Sequence, residues 1–547
     1  MVKISEIYNL LISNSFFYVI FSIYKLKGLD KMKKLFACVM CALLLLTGCS
    51  NSNTKQKIDG VKINLSNKKI TIDGSEISND KTASVYSEND IVFYLEGKDF
   101  TYGEGTKDDE HSQNEADAHT VVHITKPGTY VLSGKLSRGQ IAVDLGDDAK
   151  SDPEAVVTLV LNNADITCTV APAIIFYNVY ECGDKSEENA TKDVDTSKAG
   201  ANVIIADDTV NTVNGSYVAR IYDPETVQLN DDKTEVEDAD KLHKYDAAFY
   251  SKRTMNVSGG EKGDGILNIN AENEGLDSEL HLTINGGVIN ITSGNDGINT
   301  NEDNVSVTTV NGGTLNILCD GKTGEGDGID SNGWLVINGG TVTAQACATS
   351  GDAGIDSDKG IYINGGKVIA SGNMLDRIAG TEQTYAVFNF ATRQVGDSTY
   401  TLKAEDGNMV GEYAPTNDFT YLLIADDKLK EGDYTFWQGD TQLAAMSGGN
   451  MGGRPQMPTD EAQPPQMPDG ENFDPNQSPD GQRPQMPQGE RPELPNGEKP
   501  QGERPDFHGG MGNNGIANGE VSTTFTIVIG ENQFASVGPV PTIQSEE

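Results

Sequence analysis

Between residues 257 and 366 the chain writes one four-residue phrase five times: a β-branched apolar residue, Asn or Ser, then Gly-Gly. The copies are Val257-Ser258-Gly259-Gly260, Ile284-Asn285-Gly286-Gly287, Val310-Asn311-Gly312-Gly313, Ile337-Asn338-Gly339-Gly340 and Ile363-Asn364-Gly365-Gly366. Their third residues lie 27, 26, 27 and 26 positions apart. A fixed period of this size means stacked repeats, and it limits the fold before any local assignment is made. Each repeat is strand-rich and Gly-rich and lacks a 3.6-residue periodicity. The prediction is all-β: a right-handed parallel β-helix, a solenoid with one repeat per coil.

The side chains follow the same phase. After each Gly-Gly the apolar positions of an alternating strand superpose: Ile289, Leu315, Val342 and Val368, then Ile291, Ile317, Ala344 and Ala370. Before it, Leu282/Ile284, Leu335/Ile337 and Ile361/Ile363 do likewise. Period-two alternation sends one set inward and the other outward. Coils stack about 4.8 Å apart, and no coil buries its apolar edge alone, so the stack is the core. The corner Asn bends the chain, and the Gly after it accepts a positive φ.

The N-terminus carries an address. From Met32 the chain reads Met-Lys-Lys, an apolar run from Leu35 to Leu46, then Thr47-Gly48-Cys49. A basic start, a short apolar run and a small-residue cleavage site make a secretory signal. Leu46-Thr47-Gly48-Cys49 resembles the bacterial lipobox, which implies a lipid-modified Cys49 and anchoring at the extracellular face of the cell membrane. Residues 1–31 are then an extension of the gene model, 32–48 the signal and 49–57 a tether. The alternative is that the apolar segment Ile7–Tyr24 is a membrane helix.

The remainder divides by composition. Residues 58–384 are assigned to the β-helix. Strands are expected at Ile91–Leu95, Val121–Ile124, Val156–Leu161 and Val203–Ala206, with corners at Asn162-Asn163-Ala164 and Asp207-Asp208-Thr209. Residues 183–200 and 223–244 are polar and acidic and read as loops. Residues 385–446 form a β-rich C-terminal cap without the repeat. Residues 447–519 are dominated by Pro, Gly, Met, Gln and Glu, which cannot bury a core, and read as a disordered insert. Residues 520–547 supply a last strand, Thr523–Ile529, expected to pair back with the cap.

A formal net charge of −41 argues against nucleic acid and anionic membrane surfaces as partners. Removing residues 1–48 takes away six Lys/Arg and two Asp/Glu and leaves a charge of −45. The only membrane contact expected is the lipid at Cys49. Of seven cysteines, Cys38, Cys41 and Cys49 belong to the signal. Cys168, Cys182, Cys319 and Cys347 show no metal or disulfide spacing. Cys319 and Cys347 are expected near each other on adjacent coils, as buried thiols.

A second motif runs in phase with the first: Glu274-Gly275-Leu276-Asp277, Asp296-Gly297-Ile298-Asn299, Asp327-Gly328-Ile329-Asp330 and Asp352-Ala353-Gly354-Ile355-Asp356. The apolar residue points in. The flanking Glu274, Asp277, Asp296, Asn299, Asp327, Asp330, Asp352 and Asp356 can point out and line up about 5 Å apart along one face. Such a ladder repels itself unless neutralised. Oxygen-only ligands with flexible geometry suit Ca²⁺. The competing account is that Asp-Gly merely builds turns, with the side chains capping backbone amides.

These motifs, with Gly128-Thr129-Tyr130-Val131-Leu132-Ser133-Gly134, Gly139-Gln140-Ile141 and Tyr250-Ser251-Lys252 leading into Val257-Ser258-Gly259-Gly260, resemble the clostridial cellulose- and pectin-binding proteins. Those are calcium-bearing parallel β-helices. The resemblance spans about residues 80–445 and the last strand, leaves out the insert, and implies binding of extracellular polysaccharide. It assigns no sugar-contacting residue. Ca²⁺ held by carboxylates would bridge to a uronate, as in pectin or polygalacturonate. Neutral glucans such as cellulose need aromatic platforms instead, for which Trp334, Tyr362 and the stretch Tyr245–Tyr250 are candidates; packing at a coil edge is the competing use. No catalytic residue is assigned. A Ca²⁺-dependent pectate lyase would need a base from the few coil cations, Lys252, Arg253, Lys262, Lys322, Lys359, Lys367 and Arg377. A carboxylate-pair hydrolase and a purely structural surface protein remain the other classes.

Overall fold

The computed structural model describes residues 59–446 and 521–540. The expected lipobox Cys49, the segments 1–31, 32–48 and Ile7–Tyr24, the tether 49–57 and the Pro-rich insert lie outside the described residues. The described chain is all-β. A 27-stranded mixed sheet and a 7-stranded sheet carry most of it. The one α-helix among the described residues is Gln113–Asp117, started by a capping box in which Ser112 and Glu115 satisfy each other's backbone N–H groups.

The repeat appears as ladders of parallel strands. The leading ladder stacks Ala201–Ile205, Met255–Gly259, His281–Ile284, Val307–Val310, Trp334–Ile337 and Gly360–Ile363, each parallel to the next. The trailing ladder, past the Gly-Gly corner, stacks Val210–Gly215, Ile266–Ala271, Val288–Ser293, Thr314–Cys319, Thr341–Gln345 and Lys367–Gly372. The registers match the sequence phase residue for residue. Ile289, Leu315, Val342 and Val368 pair in series, and so do Ile291, Ile317, Ala344 and Ala370. All eight are buried in one core with Leu282, Ile284, Leu335, Ile337, Ile361 and Ile363. Each fully buried Ile or Leu contributes about 1.5–3 kcal/mol.

The corner works through its second glycine. Gly287, Gly313, Gly340 and Gly366 have φ of 93°, 89°, 84° and 86°. A Cβ on Gly340 would come within 2.8 Å of the Gly313 carbonyl oxygen of the preceding repeat. Glycine thus meets two demands at once: left-handed backbone and close approach of neighbouring repeats. Gly260, in the first copy, is not in that conformation, and the turn after it is built instead on Asp207, whose carboxylate accepts from the backbone N–H groups of Lys262 and Gly263.

A third ladder, here the acidic ladder, belongs to the 7-stranded sheet. It stacks Gly139–Asp144, Ile174–Asn178, Ala247–Ser251, Glu274–Ser278 and Ile298–Thr300 in parallel, and continues through a bridge between Ile298 and Ile329.

Several local expectations are corrected. Ile91–Leu95 forms no strand. Asn162-Asn163-Ala164 does not end a strand: Val157–Thr167 runs through it. Asn163 sits there at φ 61° while the pairing with Gly128–Leu136 shifts register, so the corner is a bulge. The polar stretch 223–244 holds a small hairpin, Gln228–Leu229 with Val236–Asp238, and most of Lys241–Tyr245, which pairs with Val218–Tyr222. Cys319 and Cys347 are free and buried, but Leu318 pairs with Gln345, so Cys347 lies one position beyond the partner of Cys319.

The repeat ends where Lys367–Gly372 pairs antiparallel with Phe419–Ala425, which covers an otherwise open edge. Beyond it, Tyr385–Gln394 to Thr441–Met446 form a second core rich in aromatics, with Phe388, Phe390, Tyr400, Phe436 and Phe525. The strand expected over Thr523–Ile529 is the shorter Phe525–Ile527, paired with Gly432–Gln438. A longer strand, Glu531–Pro539, which the sequence did not suggest, pairs with Tyr385–Gln394 and Thr441–Met446.

Candidate functional site

The acidic motifs stack as predicted in phase. The amides of Gly275, Gly297 and Gly328 donate to the carbonyls of Asp296, Asp327 and Ala353 in the next repeat. Asp277 pairs with Asn299, and the Asp330 and Asp356 amides keep the same stagger, donating to Ile298 and Ile329 carbonyls. Leu276, Ile298, Ile329 and Ile355 point inward and are at most 2% exposed. Glycine lets adjacent strands approach here: a Cβ on Gly275 would lie 2.5 Å from the Gly297 carbonyl oxygen.

The carboxylates differ from the expected solvent-facing row. Glu274, Asp277 and Asn299 are 6%, 0% and 8% exposed, while Asp296, Asp327, Asp330, Asp352 and Asp356 are partly buried. The ladder divides in two. At its far end the capping account holds: Asp296 accepts from the Asp327 amide at 2.7 Å, Asp327 from the Ala353 amide at 2.6 Å and Asp352 from the Gly326 amide at 2.5 Å. At its near end the amide partners are side chains. Asn299 donates to Glu274 Oε1 at 3.2 Å, and Asn301 to Asp277 Oδ1 at 2.8 Å. The other oxygens, Glu274 Oε2, Asp277 Oδ2 and Asn299 Oδ1, are buried without a hydrogen-bond partner.

The electrostatics follow from that burial. Burial, with Asp277, Asp246 and Asp296 nearby, holds the Glu274 carboxyl well above the ordinary carboxylate range. Burial, with Glu279 and Asp246, does the same to Asp277. Burial raises Asp296 to about 7, helped by Asp352. It raises Asp327 to about 9, helped by Asp356 and Asp296, and Asp330 to about 7, helped by Asp296. One resident cation stands close by: Lys244, 2.7 Å from Asp246. Burial disfavours its charge, but Asp246, Glu274 and Asp277 prevail and hold it above the ordinary lysine range.

The donor set fits a hard cation in composition, being carboxylate and carboxamide oxygens only. Among the described residues no three or more His, Cys, Asp and Glu side chains gather as a ready-made metal site. Any ion held here would therefore also need Asn299 or an outside oxygen.

The aromatic candidates separate. Tyr245 and Tyr250 are 2% and 1% exposed, and Tyr245 packs against both Tyr177 and Tyr250, so they offer no sugar platform. Tyr250 instead hydrogen-bonds Glu279. Trp334 is partly buried at the start of its strand. Tyr362 is partly buried, with the Lys192 ammonium 5.2 Å from its ring centre.

A column of hydroxyls went unread in the sequence. Ser251, Ser278, Thr300, Ser331 and Ser357 each follow the acidic-ladder corner and are at most 3% exposed. Thr300 and Ser331 hydroxyls meet at 2.8 Å, and Ser331 and Ser357 donate to the Trp334 and Gly333 carbonyls. They tie the acidic ladder to the leading ladder. The signal was present: a small hydroxyl residue follows Asp277, Asn299, Asp330 and Asp356 every time.

No curated protein matches this chain. A solved structure, the polysaccharide lyase-like protein from C. thermocellum (a gadolinium derivative), is similar at 20% identity and a TM-score of 0.32, covering 59% of this chain and 93% of that one. Residues 118–405, more than half of the sequence and spanning all three ladders, match the family model described as carbohydrate-binding domain-containing protein, and the chain belongs to that family.

Proposed function

We propose that this protein is a cell-surface lipoprotein, anchored at Cys49, that binds acidic plant-type polysaccharide such as pectin or polygalacturonate with the help of Ca²⁺, and that its ladders wind as a right-handed parallel β-helix. One observation carries the reading: the buried, unpartnered oxygens of Glu274, Asp277 and Asn299 on neighbouring coils. An unpaired buried polar atom costs about 1–3 kcal/mol, and more when charged. Glu274, Asp277 and Asn299 would hold the ion, with Asp296 and Asp330 next along the ladder. Bound Ca²⁺ supplies positive charge between the protein's carboxylates and those of the polymer. With a net charge of −41 the protein otherwise repels a polyuronate.

Retention on insoluble pectate and on cellulose, each with Ca²⁺ and with chelator, tests this. The expected result is retention on pectate that chelator abolishes. Retention indifferent to chelator would overturn the Ca²⁺ bridge. Replacing Cys49 by Ala is expected to move the protein out of the membrane fraction.

A second reading, a Ca²⁺-dependent lyase, has one observation in its favour. Burial, reinforced by Arg253 and Lys241 against Glu279, holds the Lys252 ammonium below the ordinary lysine range. A neutral amine nearer neutral pH is what a proton-abstracting base needs. Growth of unsaturated-uronate absorbance on polygalacturonate, lost in Lys252→Ala, would select it. Binding without product selects the binding protein, and neither result selects a structural surface protein.

A further inference from the structure

The outward face of the leading ladder carries two polar rails. The strand register aligns Asn256, Thr283, Thr309, Val336 and Tyr362 in one column. Two residues on, and therefore on the same face, Asn285, Asn311, Asn338 and Asn364 form the second. Each of these amides donates to the one before it: Asn311 to Asn285 at 2.9 Å, Asn338 to Asn311 at 2.9 Å and Asn364 to Asn338 at 2.8 Å. One N–H and one carbonyl lone pair per amide remain outside the ladder.

The acidic stretch 183–200 lies across this face as a flap. Lys185 pairs with Glu302 at 2.8 Å, Lys192 rests over Tyr362, and the Thr196 hydroxyl meets that of Thr283 at 2.7 Å. Between flap and rails runs a groove of about 490 Å³, walled by residues 192–197 on one side and by the Asn and Thr rails on the other. Asn256, at its floor and 8% exposed, donates to the Thr196 carbonyl at 2.8 Å, yet its own Oδ1 has no hydrogen-bond partner. A buried amide oxygen without a donor is costly, and a ligand hydroxyl admitted by a small shift of the Thr196 latch would supply one.

We propose that this groove is a second carbohydrate site, specific for uncharged oligosaccharide laid along the stacking direction. It rests on the carbohydrate-binding reading but needs no metal. The rails offer donors and acceptors in a row, as a chain of hydroxyls requires; Tyr362, next after Val336 in the column, lies outside the groove's lining, under the Lys192 ammonium. The only cation in the lining, Lys192, is already paired with Asp193 at 2.6 Å. Asp193 and Asp195 in the flap disfavour a uronate.

Calorimetry tests the groove, with cellohexaose, xylohexaose and mannohexaose titrated in chelator as probes and hexagalacturonate titrated in Ca²⁺ as the acidic comparison. Asn338→Trp fills the groove, and Thr309→Val removes one floor hydroxyl while keeping the β-branched shape. Melting curves check that both variants fold. At least one neutral hexasaccharide is expected to bind wild type without Ca²⁺. Asn338→Trp is expected to lose it at least tenfold and Thr309→Val severalfold, with Ca²⁺-dependent hexagalacturonate binding untouched in both. Failure of all three neutral probes, or binding that both variants leave unchanged, overturns the proposal. So does joint loss of neutral and acidic binding. Loss of the acidic, Ca²⁺-dependent binding in wild type alone would fail the acidic-ladder reading and leave the groove standing.

Discussion

Replacing Asp327 by Asn should stabilise the metal-free protein at pH 8 and lose that effect on acidification. Asp327 accepts the Ala353 amide through Oδ1, and an Asn carbonyl can do the same, so the coil contact survives. What changes is charge. Burial, then Asp356 and Asp296, raise this carboxyl to about 9 in the folded protein, against about 3.9 in an unfolded chain. A folded-state value above the unfolded one means that the stability is present in full below about pH 4 and drains away as pH climbs towards 9. Between pH 4 and pH 8 the difference is about four units, a ceiling of about 5 kcal/mol at 1.36 kcal/mol per unit. Relaxation and water entry reduce it to about 2–3 kcal/mol. With about 400 described residues and about 2.1 cal/mol/K per residue, that is a rise of about 3 °C in Tm at pH 8, and more if a smaller unit melts first. The assay is calorimetric melting in chelator from pH 4.5 to 8.5, wild type against Asp327→Asn. A Tm difference that is flat with pH, or destabilisation at pH 8 in chelator, would refute the electrostatic account of the ladder.

Three further outcomes are expected. Gly340→Ala, at φ 84° and facing the Gly313 carbonyl, should cost about 2–3 kcal/mol in a denaturant melt, whereas Gly351→Ala, with open space around it, should change stability by less than about 1 kcal/mol. Ile298→Ala, at the centre of the buried Leu276–Ile298–Ile329–Ile355 column, should cost about 2–5 kcal/mol, and proteolysis of the opened state should then cut within the neighbouring coils first. Thiol labelling of native protein at pH 8 should be slow at Cys168 and Cys182, whose thiols burial pushes up to about 12 and about 11, and should become fast in denaturant; fast native labelling of Cys168 would contradict its burial.

The repeat was legible because its physics is local and periodic. A β-branched residue, a corner amide and two glycines every 26 or 27 residues leave few ways to bury Ile284, Val310, Ile337 and Ile363 except against one another. The sequence alone therefore determined the all-β class, the strand phase and the stacking of Ile289 on Leu315, Val342 and Val368. The acidic motif was legible as a column for the same reason.

Other features depended on partners distant in sequence. The sequence pointed Glu274 and Asp277 at solvent, and the structure buries both, since exposure is decided by what packs on top, here with Lys244 close by. The split between Asp296 and Asp327 capping amides and Glu274 and Asp277 left with bare oxygens depends on which backbone N–H lies one repeat away. The stretch 183–200 read as a loop, and only its landing points, Glu302, Tyr362 and Thr283, turn it into the wall of a groove. Tyr250 looked like a sugar platform by composition and became core because Tyr245 packs on it and Glu279 takes its hydroxyl. Period and propensity act along the chain, so the sequence carried them; burial, pairing and concavity arise between segments a hundred residues apart, so only the tertiary structure decided them.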